Sequence, residues 1–597
     1  MTIQTGFQSF DDSTRPEQGP PRLDALRAEM RRDGLDAFLV PRADAYQGEY
    51  VSERDARLAW LTGFTGSAGH AVVLEDKAGV FVDGRYRVQV RAQIADVFTP
   101  VDWPETSLAD WIAANTPKGA KIGIDPWLVT IDQARGLSEK LPEAELVRTD
   151  NLIDRIWDNQ PDPPLGPIIA QPAELAGEAA AEKITRLAKT LAPARAAILT
   201  QPDSIAWLLN IRGSDIPRNP VPHAFAILHD NARVTLFVDP VKLKDLDTKL
   251  AAEIATPEEF LSALAALEGP VTLDPATCPL AVADALEAAE VAVKECADPC
   301  LLPKARKNET EIAGARAAQQ RDGLAMCRFL AWLDDTAPGG LTEIDVARKL
   351  EGFRRESNAL RDISFETISG AGAHGAIVHY RVTETTNAPL KDGELFLVDS
   401  GGQYFDGTTD ITRTIAIGSP GEEERQNFTR VLKGLIAVSL LRWPSGLAGR
   451  DLDPFARHAL WQAGLDYGHG TGHGIGAYLS VHEGPQRLAK TGTVPLEPGM
   501  MLSNEPGFYR EGAYGIRLEN LVVVQEADRL PGQSVETMLS FETLTYVPID
   551  RALIVAEMLT HEERAWLDAY HATCRARLAP ELDPETAAWL EAATAPI

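Results

Sequence analysis

Four carboxylates and one imidazole in the last third of the chain stand in short motifs suited to gripping cations. They are Asp399 in LFLVDSGGQY, Asp410 in GTTDITRT, His473 in GHGTGHGIG, Glu505 in LSNEPGFY and Glu519 in GIRLENLVVV. Gathered in one cleft, four ionised carboxylates repel one another, and some must take up protons. Two divalent cations cancel that charge and hold a bridging water as hydroxide near neutral pH. An oxygen-rich set with a single imidazole suits Mn²⁺, Co²⁺ or Zn²⁺ and matches neither structural zinc nor iron–sulfur sites.

Each residue alone has a plainer explanation. An Asp at a strand end is ordinarily a turn former or a cap. Glu505 and Glu519 are odder, because both sit in runs that read as half-buried, and buried Glu is rare without a partner. Arg517 cannot serve both. Six of the eleven histidines (His374, His379, His458, His469, His473 and His482) crowd into the same region. Glycines flank His469 and His473, which excludes a helix interior and lets the loop approach a ligand closely. His70, His229, His561 and His571 read as surface histidines.

The elements that must position these residues follow from the patterning. ELFLVD, DITRTIAI, MMLSNE and IRLENLVVV are strand-like runs. Asp399 closes one strand and Asp410 opens the next across SGGQYFDGTT, so a hairpin can bring both to one side. Glu505 and Glu519 lie on two neighbouring runs joined by PGFYREGAYG. EEERQNFTRVLKGLIAVSLL reads as a helix. Strands and helices segregate, so an α+β domain is expected. Asn308 is a candidate N-cap for a long helix, with Glu309 and Glu311 in its first turn.

Upstream, a helix is expected from about Arg22, with Leu23, Leu26 and Met30 at helical spacing, followed by the strands DAFLVP and FVDGRY. LAWLTGFTGSA and IAWLLNIRGSD match at a fixed offset, and Phe81-Val82-Asp83 recurs as Phe237-Val238-Asp239. Two tandem copies of one α/β domain are the natural reading. QPDPPLGP, Gln160 to Pro167, is the clearest linker. The expected division is a flexible arm over 1–20, related α/β domains over 21–160 and 161–303, and a final domain over 304–597.

The bulk properties narrow the classes. With 597 residues the chain exceeds one core. Its net charge of −29 argues against nucleic acid or an anionic membrane as partner. Cys278, Cys296, Cys300, Cys327 and Cys574 form no disulfide framework and suit a reducing cytosol. No secretory leader pattern and no run of about 18 apolar residues is seen, so a cytoplasmic protein is expected.

Taken together, the motifs resemble the pita-bread metallopeptidases, and within them the three-domain aminopeptidase P family. DAYQGEYVSERDARLAWLTGFTGSAG and DGRY look like that family's first domain. NLIDRIWDNQPDPP looks like its linker and AWLLNIRGSDIPRNPV like its second domain. KNETEI, ISGAGAHGAIVHY, DSGGQYFDGTTDITRT, DYGHGTGHGIG, VHEGP, SNEPGFY and GIRLEN look like its catalytic domain, and the tail from WLDAYHATCR follows the pattern. The resemblance implies a C-terminal pita-bread domain behind two creatinase-like α/β domains. It implies two divalent ions, Mn²⁺ first with Zn²⁺ or Co²⁺ as alternatives, held by Asp399, Asp410, His473, Glu505 and Glu519, with Asp410 and Glu519 bridging. It implies Glu505 as proton acceptor, His379 and His482 at the scissile carbonyl, His469 beside the proline, and Arg517 as electrostatic support. His374 departs from the pattern, which has a small or polar residue there, and receives no role. The implied reaction is release of the first residue from peptides with proline second, by a homodimer. The alternatives are a prolidase acting on Xaa-Pro dipeptides and a non-catalytic pita-bread binding module.

Overall fold

The computed structural model describes residues 6–597. Contacts divide the chain into two units, one spanning Ser13–Lys304 and the other Ala305–Ile597 together with residues up to Asp12.

The first unit opens with the helix Gly19–Asp33, whose Leu23, Leu26 and Met30 face the core at 1% exposure or less. Burial of each stabilises by roughly 1.5–3 kcal/mol. The apolar run Ala37–Pro41 is buried along its whole length because both faces of its sheet are covered: Phe38 and Val40 pack with Leu23, Leu26 and Leu58, and Ala37 and Leu39 with Ile112 and Leu137. It pairs antiparallel with His70–Leu74 and parallel with Lys121–Ile124. Ala78–Val82, Thr99–Asp102 and Glu145–Arg148 complete a six-stranded sheet. A second sheet repeats this pattern. Ala196–Leu199 takes the central place, antiparallel to Phe225–His229 and parallel to Val271–Leu273. Val234–Phe237, Glu253–Ala255 and Val293–Glu295 fill the same positions with the same polarity. The repeated Ala-Trp-Leu lies in the helices Arg57–Thr62 and Pro202–Leu209. The duplication read from sequence is thus a duplication of topology. Residues 160–167 form neither helix nor strand, as four prolines there require.

The second unit begins with the helix Glu309–Thr336. Asn308 Oδ1 accepts from Thr310 and Glu311 N–H at 3.0 Å each, and Glu311 returns the bond to Asn308 N–H at 3.0 Å. That is a full capping box. Strand pairings here are all antiparallel among the described residues. Leu395–Ser400 sits between Ile368–Ala371 and Ile411–Ala416. A six-stranded sheet runs Arg442–Pro444, Met538–Thr543, Asn520–Glu526, Met501–Asn504, Gly472–Gly474 and Glu483–Leu488. The helices Glu422–Ser439 and Gly449–Trp461 bury apolar faces, including Phe428, Leu432, Leu435 and Leu460.

Three expectations are corrected. The N-terminal arm is not loose over its described part. Phe10 is buried, Phe7 N–H donates to Glu351 at 2.8 Å, and Arg381 donates to the carbonyls of Ser9 and Asp11 at 2.8 Å. Pro16–Gln18 already forms a 3-10 turn. One buried aromatic and borrowed backbone bonds suffice to pin so short a segment. The connection PGFYREGAYG is not a bare turn, since Gly507–Arg510 and Tyr514–Arg517 form their own hairpin. Finally, His571 is fully buried and not superficial. Its Nε2 accepts from Ile549 N–H at 3.2 Å, so the ring acts as a backbone acceptor inside the core.

Candidate metal centre

The register of the strands brings the acidic residues together. Asp399 on Leu395–Ser400 lies opposite Thr412, one residue beyond the start of Ile411–Ala416, and Asp410 immediately precedes that strand. Asn504 lies opposite Asn520, so Glu505 leaves one strand where Glu519 enters its neighbour. Glu519 N–H donates to Thr412 carbonyl at 3.1 Å, which ties the two sheets at this point. Thr412 Oγ1 donates to Glu519 Oε2 at 2.8 Å.

His473 sits mid-strand in Gly472–Gly474. A Cβ on Gly472 would lie 1.9 Å from the Ser503 carbonyl oxygen, so glycine lets this strand lie hard against Met501–Asn504. The close approach read from the sequence is therefore to protein backbone. Donor atoms of Asp410, His473 and Glu519 all lie within 4.8 Å of one another. His473 Nε2 is 3.6 Å from Asp410 Oδ2 and 3.5 Å from Glu505 Oε1. Asp399 joins through Arg517, whose Nη2 donates to Asp399 Oδ2 at 2.7 Å and whose Nε donates to Thr412 Oγ1 at 3.2 Å.

These donors fit divalent cations for three reasons. His473 Nδ1 donates to the Gly474 carbonyl at 3.0 Å, so in its neutral form the ring turns its Nε2 lone pair to two carboxylates. Lone pair against anion is repulsive unless a cation stands between them. Asp399 Oδ1 is buried with no hydrogen-bond partner. Burial, first, and the neighbouring carboxylates, second, push Asp410 and Glu519 well above the usual carboxylate range. Burial likewise raises Glu505 to about 7, although Arg517 opposes it. Fully ionised, the cluster would carry more negative charge than its one guanidinium neutralises, which is why its carboxyl groups resist ionising without added positive charge.

His482, His469 and His379 stand around this cluster, whereas His458 is exposed on the helix Gly449–Trp461. The rings of His482 and His473 meet edge to face with centroids 4.3 Å apart. His469 Nδ1 donates to Gly470 carbonyl at 2.7 Å, leaving Nε2 of the neutral ring to accept from Tyr509 hydroxyl at 2.8 Å. Tyr509 in turn accepts from Arg517 Nη1 at 2.6 Å. Arg457 holds this loop by donating to the carbonyls of Tyr467 at 2.9 Å and His469 at 2.7 Å. His379 lies in the loop after the turn Gly372–Ala376, and Arg517 Nη2 reaches the Val378 carbonyl beside it at 3.3 Å.

The structure also supplies residues that the sequence reading passed over. Glu343 is fully buried and accepts from Ala371 N–H at 2.8 Å, Ala388 N–H at 3.0 Å, Tyr380 hydroxyl at 3.0 Å and His374 Nδ1 at 2.8 Å. It is the hub of the loop that carries His379, and His374 is one of its spokes. Nothing local separates Glu343 from an ordinary first-turn acid of the helix Glu343–Arg355. Tyr509 stands in SNEPGFY, but its link to Arg517 needs the folded hairpin.

Comparison with known proteins shows the family. Residues 313–526 match the metallopeptidase family M24 model, and 537–597 match the C-terminal region of peptidase M24. Residues 22–156 and 159–311 each match a creatinase/prolidase N-terminal domain. Aminopeptidase P1 of Lotus japonicus is 38% identical, with 96% of this chain and 99% of the relative covered. The chain belongs to metallopeptidase family M24. Another relative is Xaa-Pro aminopeptidase 2 of Rattus norvegicus, at 37% identity over 98% of this chain and 91% of that one. Among solved structures, the M24 chain here superimposes on X-prolyl aminopeptidase from Caenorhabditis elegans with a TM-score of 0.91 at 32% identity. That match covers 97% of this chain and all of the other, which is described as a cytosolic enzyme with a di-nuclear active site. The two N-terminal α/β domains and the C-terminal pita-bread domain are the architecture of that neighbour. Among the described residues, no helix is long and apolar enough to cross a membrane.

Proposed function

We propose that this protein is a metal-dependent Xaa-Pro aminopeptidase that hydrolyses the first peptide bond of substrates with proline at position two. The observation that carries the reading is the Asp410–His473–Glu519 cluster, both carboxylates buried and the imidazole half-buried, with Glu505 against the same imidazole nitrogen. Asp399, Asp410, His473, Glu505 and Glu519 would hold two divalent ions, Mn²⁺ in first place and Zn²⁺ or Co²⁺ as alternatives. When bound, such ions supply a water of lowered pKa and positive charge for the developing oxyanion.

The protein's own groups would do the rest. Glu505, raised by burial, takes the proton of the attacking water and returns it to the departing nitrogen. His379 and His482 donate to the scissile carbonyl oxygen as it gains charge. The His469 ring, held at both nitrogens, forms a wall beside the proline. Arg517 orients Asp399 and Tyr509 together. Because a prolyl nitrogen carries no N–H and its ring fixes φ, a site built for it needs no acceptor for that hydrogen. We further propose a cytosolic homodimer; the five free cysteines suit a reducing compartment.

The test is a peptide panel that varies only the second residue, run with metal analysis of the same preparation. Cleavage of proline-second tripeptides and longer chains, abolished by chelation and restored by Mn²⁺, is expected. Cleavage confined to dipeptides would instead indicate a prolidase. Full activity after verified metal removal would refute the mechanism. His482→Ala should retain both ions and lose most turnover. Light scattering checks the dimer.

A further inference from the structure

Asp44, Asp55 and His223 come from three separate stretches of the N-terminal unit. Asp44 follows the strand Ala37–Pro41, Asp55 ends the turn Glu53–Asp55, and His223 leads into Phe225–His229. One donor atom from each lies within 4.8 Å of the others. The chemistry of the metallopeptidase cleft makes no use of them.

Asp44 is only 1% exposed. Its Oδ1 accepts from Tyr46 N–H at 2.9 Å and from Gly48 N–H at 3.3 Å. Its Oδ2 is buried and has no hydrogen-bond partner, although His223 Nε2 stands 3.3 Å away. The two atoms face each other without the angle a hydrogen bond requires. A buried carboxylate oxygen left in this condition is costly unless a cation compensates it.

The other two donors are held in place. The His223 ring stacks on Tyr46 at 4.1 Å, and Tyr46 stacks on Phe225 at 4.8 Å. His223 backbone N–H donates to Asp215 Oδ2 at 2.6 Å, an oxygen that also takes Lys242 Nζ at 2.7 Å. Asp55 accepts from Ser52 Oγ at 2.6 Å and from Arg57 Nη1 at 2.8 Å. Arg57 is shared with Asp154, so it does not fully neutralise Asp55. Outer partners of this kind orient the ligands of metal ions. Donors at about 2.0–2.2 Å from an ion are separated by roughly 3–3.5 Å along an edge of its coordination shell. The 3.3 Å between His223 Nε2 and Asp44 Oδ2 is already such an edge.

We propose that Asp44, Asp55 and His223 form a mononuclear site for a divalent first-row ion, Zn²⁺ or Co²⁺ of borderline softness or the harder Mn²⁺, completed by water. Two carboxylates and one imidazole are a donor set for such an ion. Its effect is structural, because it joins the loop after the first strand of one α/β domain to the strand entry of the other.

Co²⁺ alone is the probe. The full-length chain carrying Asp410→Ala and His473→Ala, which dismantle the proposed catalytic cluster, should retain one Co²⁺ per chain through gel filtration and show its visible absorption. Adding His223→Ala should weaken that retention at least about tenfold. No retained cobalt, or retention indifferent to His223→Ala, overturns the proposal. Metal analysis of the otherwise wild-type chain decides independently of those variants. Three ions per chain falling to two in Asp44→Asn support the site, and two in both chains overturn it.

Discussion

His473 shows how one side chain settles the chemistry of a cluster. Its Nδ1 is committed to a backbone carbonyl, so its Nε2 must answer to Asp410 and Glu505. His473→Ala should therefore lower bound metal by at least one equivalent. Turnover should fall more than the 10–100-fold typical of outer partners, that is, by more than about a hundredfold. Metal analysis with steady-state kinetics on a Gly-Pro-Xaa tripeptide checks both. Glu343 acts one step away, by fixing the loop of His379. Glu343→Gln replaces one acceptor oxygen by an NH₂ that faces donors, leaving buried N–H or O–H groups unpaired at about 1–3 kcal/mol. The expected result is a lower thermal midpoint together with a fall in kcat that Mn²⁺ does not restore, and unchanged kinetics would dismiss the positioning role.

At the scale of elements, the cap of the long helix is open to a clean test. Asn308→Ala removes the side-chain acceptor of two N–H groups. It should destabilise the C-terminal unit by about 1 kcal/mol, read as a shifted denaturation midpoint with metal content unchanged. The cap was legible in the sequence because its signal is local: Asn, then Glu three residues on. So were the strand that carries Asp399 and the strands that adjoin Asp410 and Glu505, whose apolar runs are written along the chain. The hairpin within PGFYREGAYG was not, because glycines and a proline suggest a turn while Phe508, Tyr514 and Ile516 fold inward. Gly515 shows why: a Cβ there would meet the Gly375 carbonyl oxygen at 1.6 Å, a contact with a distant segment.

For the molecule as a whole, stability should depend on pH through His571. Burial first, and Arg413, Arg551 and Arg575 next, depress its imidazole to about 3. The unfolded chain binds a proton at the ordinary histidine value near 6.5, while the folded protein does not. Stability from this group is thus complete above about pH 6.5. It declines as pH falls toward 3, by up to about 1.4 kcal/mol per pH unit. Denaturant melts between pH 7 and 5 should show that decline, and His571→Gln should flatten it. An equal slope in the variant would assign the effect elsewhere.

Taken by itself, the sequence determined the duplicated α/β half, the linker, the antiparallel α+β half and the five candidate ligands. Each of those rests on spacing, turn chemistry or residue type within a short window. Only the tertiary structure decided which carboxylate meets which imidazole, that Glu343 and Tyr509 serve the same region, that the N-terminal segment is pinned, and that His571 is buried. Those are matters of strand register and of contacts between residues tens to hundreds of positions apart. No local pattern encodes them, because the energy that selects them is released only when distant faces pack.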